Sequence, residues 1–86
     1  MTRPTVLPAA HWDALYTAGR RYRTVTREET DLLTHHLGPG HHRSALDIAC
    51  GTGDYTAALH QLGWTPTGID WAPTAIATAR GRHPHL

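Results

Sequence analysis

The sequence has no lysine, one cysteine and no long apolar segment. Its 86 residues include eight arginines and seven acidic residues, for a formal charge of +1 at pH 7. Because these charges are spread along the chain, we expect neither nucleic acid nor an anionic membrane surface as a partner. No apolar stretch approaches the ~20 residues that span a bilayer, so a soluble, cytoplasmic protein is expected.

The single cysteine, Cys50, excludes an intramolecular disulfide and favours a reducing, intracellular setting. It lies in a glycine-rich stretch where no neighbouring residue lowers a thiol pKa, so we interpret it as a small residue in a tight turn rather than a reactive thiol. The eight histidines come without cysteine pairs or an H-E-x-x-H motif. We therefore predict no metal site.

The N-terminal half has the pattern of two helices. The first is predicted over roughly residues 8–18, where apolar residues recur at helical spacing before a glycine. Thr26 and Glu29 have the spacing of a capping box and predict a second helix over residues 27–37. Residues 38–43 are predicted to form a loop.

The second half alternates between strand and helix patterns. The apolar run from Ala45 to Cys50 predicts a strand buried on both faces, as in a parallel sheet. A helix over 52–62, a strand over 64–70 and a helix opened by Pro73 follow. The order α-α-β-α-β-α predicts an α/β fold, in which a partial doubly wound parallel sheet (β-α-β-α) follows two N-terminal helices.

Glycines and one distant acid indicate a ligand. Gly51 and Gly53 lie at the turn between the first strand and its helix, where positive φ and a bare backbone let a ligand approach the helix N-terminus. Asp70 ends the next strand, 17 residues after Gly53. That spacing is close to the one at which an acid meets a ribose diol, so the pattern predicts a nucleoside-bearing ligand.

The segment Asp47-Ile48-Ala49-Cys50-Gly51-Thr52-Gly53, followed by Gly68-Ile69-Asp70, resembles the first two motifs of class I S-adenosylmethionine-dependent methyltransferases. The resemblance covers roughly residues 44–80 and implies a Rossmann-like fold with S-adenosylmethionine as cofactor. It also implies that the glycines lie along the methionine part, that the first acid holds the amino end and that the last acid binds both ribose hydroxyls. The predicted cofactor-binding residues are Asp47, Ala49, Cys50, Gly51, Thr52, Gly53, Asp70 and Trp71.

Two residues depart from the family pattern. Ala49 stands where the family usually has its first glycine, and alanine fits there if φ is negative. Ala72 stands where many members carry a serine, so we expect the last helix to lack about 1 kcal/mol of N-cap stabilisation. Trp12, Tyr16 and Tyr22 are expected to pack in the core or to line the cofactor pocket.

The resemblance implies methyl transfer to an acceptor that the sequence does not identify, and it assigns no catalytic residue. We expect residues 1–43 to form an N-terminal helical segment and residues 44–86 to form a partial cofactor-binding domain that stops before a third strand. Such a domain would be inactive alone unless a second copy or another chain completed its sheet. The alternatives are a non-catalytic interaction module, a gene remnant, or an NAD(P)-binding oxidoreductase fragment, whose G-x-G-x-x-G motif would need glycine in place of Thr56.

Overall fold

Helices and strands alternate in the second half of the chain, as the sequence pattern predicts. The computed structural model describes residues 8–19 and 24–86. The parallel pairing of the two strands and the helices before, between and after them confirm an α/β, partial Rossmann-like fold. In chain order the elements are α1 Ala9–Thr17, α2 Arg27–Leu37, β1 Ser44–Ile48, α3 Asp54–Gln61, β2 Thr65–Ile69 and α4 Pro73–Arg82.

The ends of α2 follow local chemistry. The side chain of Thr26 accepts a hydrogen bond from the Glu29 backbone N–H at 3.2 Å, as the predicted capping box requires. At the other end Gly38, with φ +67°, stops the helix in a conformation that residues with a Cβ rarely adopt. Both ends were therefore encoded within a few residues of sequence.

The sheet is covered on one face only. Asp47 and Gly68 pair across the two strands on the face that meets α3, where the Thr56 hydroxyl donates to Asp47 Oδ2 at 2.7 Å. On the opposite face Ile48 and Ile69 are 71% and 45% exposed. The prediction that β1 is buried on both faces is therefore wrong, because α3 packs on one side and no other element among the described residues covers the second.

Helix α1 packs against α4 and joins the N-terminal segment to the rest of the chain. Tyr16, Ala72 and Ala75 are buried together, and Trp12 packs against them. Ala72 provides no side-chain cap for α4, as expected. The cap comes instead from α1, where Asp13 Oδ1 accepts the backbone N–H of Thr74 at 2.7 Å. Helix α4 is thus capped by a residue that the local sequence does not contain.

The loop before β1 lies directly on the turn before β2. The Gly40 N–H donates to the carbonyl of Leu62 at 2.8 Å, and the His42 N–H donates to the carbonyl of Gly63 at 2.8 Å. A Cβ atom on Gly40 would overlap the backbone nitrogen of Trp64. This close approach of two backbones sets where β1 begins beside β2.

We predict that Gly40→Ala lowers the free energy of unfolding by about 2–3 kcal/mol, because the added methyl group meets backbone that cannot move aside. The matched control is Gly81→Ala in α4, where an added Cβ has no atom within 4 Å. That change should leave stability unchanged or raise it by up to about 1 kcal/mol. Urea unfolding followed by circular dichroism measures both, and equal effects would contradict the backbone contact.

Candidate functional site

A large cavity opens at the carboxyl ends of the two strands. Its volume is about 800 Å³, within the range of small-molecule sites. In open α/β sheets, ligands bind in the crevice outside these strand ends. Each strand and the helix α1 contribute to the wall of this cleft, which is lined by Trp12, Tyr16, Ile48, Ala49, Ile69, Asp70 and Trp71.

The glycine turn has the backbone geometry that its sequence predicts. Gly51 and Gly53 have φ of +56° and +86°, and α3 begins immediately afterwards at Asp54. An added Cβ on Gly53 would lie 3.2 Å from the Cβ of Ala79, so α4 packs closely behind the turn. The first amides of α3 therefore follow a turn that two glycines make possible.

Ala49 adopts the conformation that glycine would adopt more easily. Its φ is +60°, so the condition under which alanine would fit here, a negative φ, is not met. The residue directly after β1 therefore begins the turn in the left-handed conformation. An L-residue in this region carries a cost of roughly 1–2 kcal/mol.

Asp70 joins the two loops that border the cleft. Its Oδ2 accepts the Gly51 N–H at 3.0 Å, and its Oδ1 accepts the Ala72 N–H at 2.9 Å. An ionised carboxylate offers about four acceptor positions, so two remain for a ligand. The acid that the sequence places at the end of β2 is therefore held directly beside the glycine turn of β1.

Asp47 and Cys50 face away from the large cavity. Asp47 accepts the Thr56 hydroxyl on the α3 side of the sheet. Burial raises the pKa of the Cys50 thiol, and the nearby carboxylates of Asp47 and Asp70 raise it further. The thiol therefore stays protonated at neutral pH, which agrees with a small structural residue rather than a reactive nucleophile.

The structure gathers some of the predicted site residues and separates others. Ala49, Asp70 and Trp71 line the large cavity, and Trp12 and Tyr16 line it as well. Cys50 and Gly53 line a second cavity of about 260 Å³ between α3, β2 and α4. Asp47, Gly51 and Thr52 line neither cavity, and Thr52 is only 4% exposed. Tyr22 lies outside the described residues.

Two apolar residues of the cavity and one ionic cluster were not predicted. Ile48 and Ile69, the last residues of the two strands, line the large cavity. Their place at strand ends, beside the glycine turn and the acid, was the signal that could have found them. Asp54 lies 3.2 Å from the guanidinium of Arg82 and 3.4 Å from Nε2 of His83, contacts that fasten the start of α3 to the end of α4.

Within residues 8–19 and 24–86, no three side chains among His, Cys, Asp and Glu are grouped to hold a metal ion. Over the same residues, none of the helices has the length and apolar character needed to cross a membrane.

Comparison with known proteins finds a family-model match to the second half of the chain. A family model described as a methyltransferase domain matches residues 45–86, which run from β1 to the last residue of the sequence. No curated protein and no solved structure matches the chain. The matched region contains β1, the glycine turn, α3, β2 with Asp70, and α4.

We predict that Ala49→Gly raises the free energy of unfolding by about 0.5–1 kcal/mol, since relief of the left-handed alanine outweighs the greater freedom of glycine in the unfolded chain. Ala45→Gly, at the second residue of β1, is the matched control and should lower the free energy of unfolding by about 0.5–1 kcal/mol. Thermal and urea unfolding measure both changes. Destabilisation by both variants to the same extent would contradict the positive φ at Ala49.

Proposed function

We propose that residues 45–86, which match a family model described as a methyltransferase domain, form part of a class I S-adenosylmethionine-dependent methyltransferase domain and bind S-adenosylmethionine in the cleft at the carboxyl ends of β1 and β2. The bound cofactor supplies an electrophilic methyl group on sulfur, and the protein supplies position and electrostatics. No motif in this chain identifies the methyl acceptor.

The observation that carries this proposal is the hydrogen bond between Asp70 and Gly51. A nucleoside-bearing ligand needs an acid for its ribose and a bare backbone for the rest of the molecule, with both parts within reach of one another. The 3.0 Å bond between Gly51 N and Asp70 Oδ2 holds these two parts together, and Asp70 lines the 800 Å³ cavity. The chemistry of Asp70 and of the glycine turn therefore supports a cofactor of this kind.

Asp70 is assigned its role by its place in the cleft, whereas Asp47, Gly51 and Gly53 lie outside the lining of the cleft and are assigned theirs by the family motif that they match. Asp70 would accept hydrogen bonds from the ribose hydroxyls with the acceptor positions that Gly51 and Ala72 leave open. Gly51 and Gly53 would let the methionine part lie against the main chain, and Asp47 would hold its amino end. The Asp47 carboxylate is oriented for any such role by the Thr56 hydroxyl.

The apolar wall of the cleft suits the flat, weakly polar parts of such a ligand. Trp12 and Tyr16 approach from α1, and Trp71 approaches from the end of β2. Aromatic faces bind a heterocycle through dispersion and stacking, and they displace water from it. On this proposal α1 walls the cleft and residues 44–86 bind the cofactor. The proposed location is the cytoplasm, whose reducing conditions suit the free thiol of Cys50.

A second candidate role follows from the uncovered face of the sheet. Leu46, Ile48 and Ile69 are 59%, 71% and 45% exposed and lie on the same side of the two strands. Water in contact with these side chains is unfavourable by about 25 cal/mol per Å² of apolar surface. The alternative function is therefore an interaction module whose exposed face is covered by a second copy or by another chain.

We predict that S-adenosylhomocysteine binds the 86-residue chain and that Asp70→Ala weakens binding by about 30-fold or more. The reason is the loss of charged hydrogen bonds worth about 2 kcal/mol, together with release of the glycine turn. Isothermal titration calorimetry gives the affinities. Amide NMR spectra should show the largest shifts at Gly51, Gly53 and Asp70.

Asp31→Ala is the matched control, because it removes a carboxylate from an exposed position on α2. It should leave the affinity for S-adenosylhomocysteine unchanged. A dispersed NMR spectrum that does not move at saturating ligand would refute cofactor binding by this chain and would favour the interaction module.

We predict that the chain self-associates and that Leu46→Ser combined with Ile48→Ser abolishes this association, since two apolar contacts are lost at the centre of the exposed face. Sedimentation velocity over a hundredfold range of concentration measures the assembly. Leu32→Ser on α2 is the control, as Leu32 is similarly exposed, at 57%, but lies off the sheet. A wild-type chain that is monomeric throughout would contradict self-association and leave a different protein as the covering partner.

A further inference from the structure

Helix α4 begins without a cap from its own segment. Ala72 precedes its first residue and has no side-chain acceptor, and Pro73 has no N–H to be satisfied. The first donor that needs a partner is the N–H of Thr74, which lies 2.7 Å from Oδ1 of Asp13, 61 residues earlier in the chain. A carboxylate at this position also interacts favourably with the positive end of the helix dipole.

The residues that anchor α1 lie beside the residues that line the cleft. Asp13 and Thr17 are separated by one helical turn, and the Thr17 hydroxyl lies 3.1 Å from the hydroxyl of Thr74. Trp12 and Tyr16, each one position earlier, form the adjacent stripe of α1 and line the cavity. The polar anchors therefore fix the rotation of α1 that turns its aromatic residues toward the cleft.

The apolar contact between α1 and α4 is small. The helix has nine residues, fewer than an isolated helix needs to be stable in water. Its buried contact with α4 consists of Tyr16 against Ala72 and Ala75, with Trp12 packed at the side. Two alanines offer a small surface, and the hydrogen bond from Thr74 to Asp13 adds a polar contact that orients α1 on α4.

We infer that Asp13 is a positioning residue for the cofactor cleft: by capping α4 from α1, it holds Trp12 and Tyr16 in place as one wall of the cavity. The inference rests on the proposed function, because it assigns that wall to the same cofactor. Asp70, which also lines the cavity, accepts the Ala72 N–H at 2.9 Å. Two carboxylates, Asp13 from α1 and Asp70 from the end of β2, thus hold the start of α4.

The test separates capping from positioning with two substitutions. Asp13→Ala removes both, whereas adding Ala72→Ser to it restores a local cap for α4 but leaves α1 without its anchor. Because Ala72 is buried in the cluster with Tyr16, the single variant Ala72→Ser is the reference for the double variant. In the double variant we expect α1 amides to exchange with deuterium about tenfold faster while α4 amides keep their protection. We also expect the dissociation constant for S-adenosylhomocysteine to rise about tenfold.

Two further variants serve as controls. Asp13→Asn keeps an oxygen that accepts the Thr74 N–H, so both measurements should stay close to those of the wild type. Asp31→Ala, at an exposed position of α2, should change neither.

Wild-type protection of α1 in the double variant would overturn the inference, because α1 would then be docked without Asp13. Released α1 with unchanged affinity would overturn it as well, because the wall would not contribute to binding. If the wild-type chain fails to bind S-adenosylhomocysteine, the proposed function fails separately. The exchange of α1 then decides alone whether Asp13 positions that helix.

Discussion

The carboxylate of Asp70 is the group on which the arrangement of the site depends. It accepts the N–H of Gly51 from the turn after β1 and the N–H of Ala72 from the turn after β2. Both of these residues are buried, and an unsatisfied buried amide costs roughly 1–3 kcal/mol. One side chain thereby satisfies two donors and fixes two loops. Asp70, which we propose binds a ligand, also holds the two loops in place, so the cleft does not depend on a ligand for its shape.

Contacts at helix ends carry much of the remaining organisation. The buried apolar cluster of the described residues contains Tyr16, Ala72 and Ala75, a small set for four helices. The termini are instead tied by polar groups: Asp13 to the start of α4, and Arg82 at its end to Asp54 at the start of α3. With so little apolar surface buried, each of these bonds forms a larger share of a small stability margin.

Features encoded by neighbouring residues were predicted from the sequence, and features made by distant residues were not. The capping box at Thr26, the helix start at Pro73 and the glycine turn each depend on a few adjacent residues. The prediction that β1 is buried on both faces was wrong, because the burial of a strand depends on which elements pack against the sheet and not on the strand's own sequence. The cap from Asp13 had no local signal, since its partner Thr74 lies in another helix.

The motif between β1 and β2 mainly specifies a backbone shape. Ala49, Gly51 and Gly53 all have positive φ, and Gly68 must lack a side chain because a Cβ there would lie 2.9 Å from the Cys50 sulfur and the Thr56 hydroxyl oxygen. Most residues of the motif thus shape the turn and the strand beside it, while Asp70 both shapes the turn and lines the cavity. A backbone held in advance lowers the entropic cost of ligand binding. A motif of this kind therefore says more about the proposed cofactor cleft than about the proposed methyl acceptor, because an acceptor is selected by side chains that the motif does not contain.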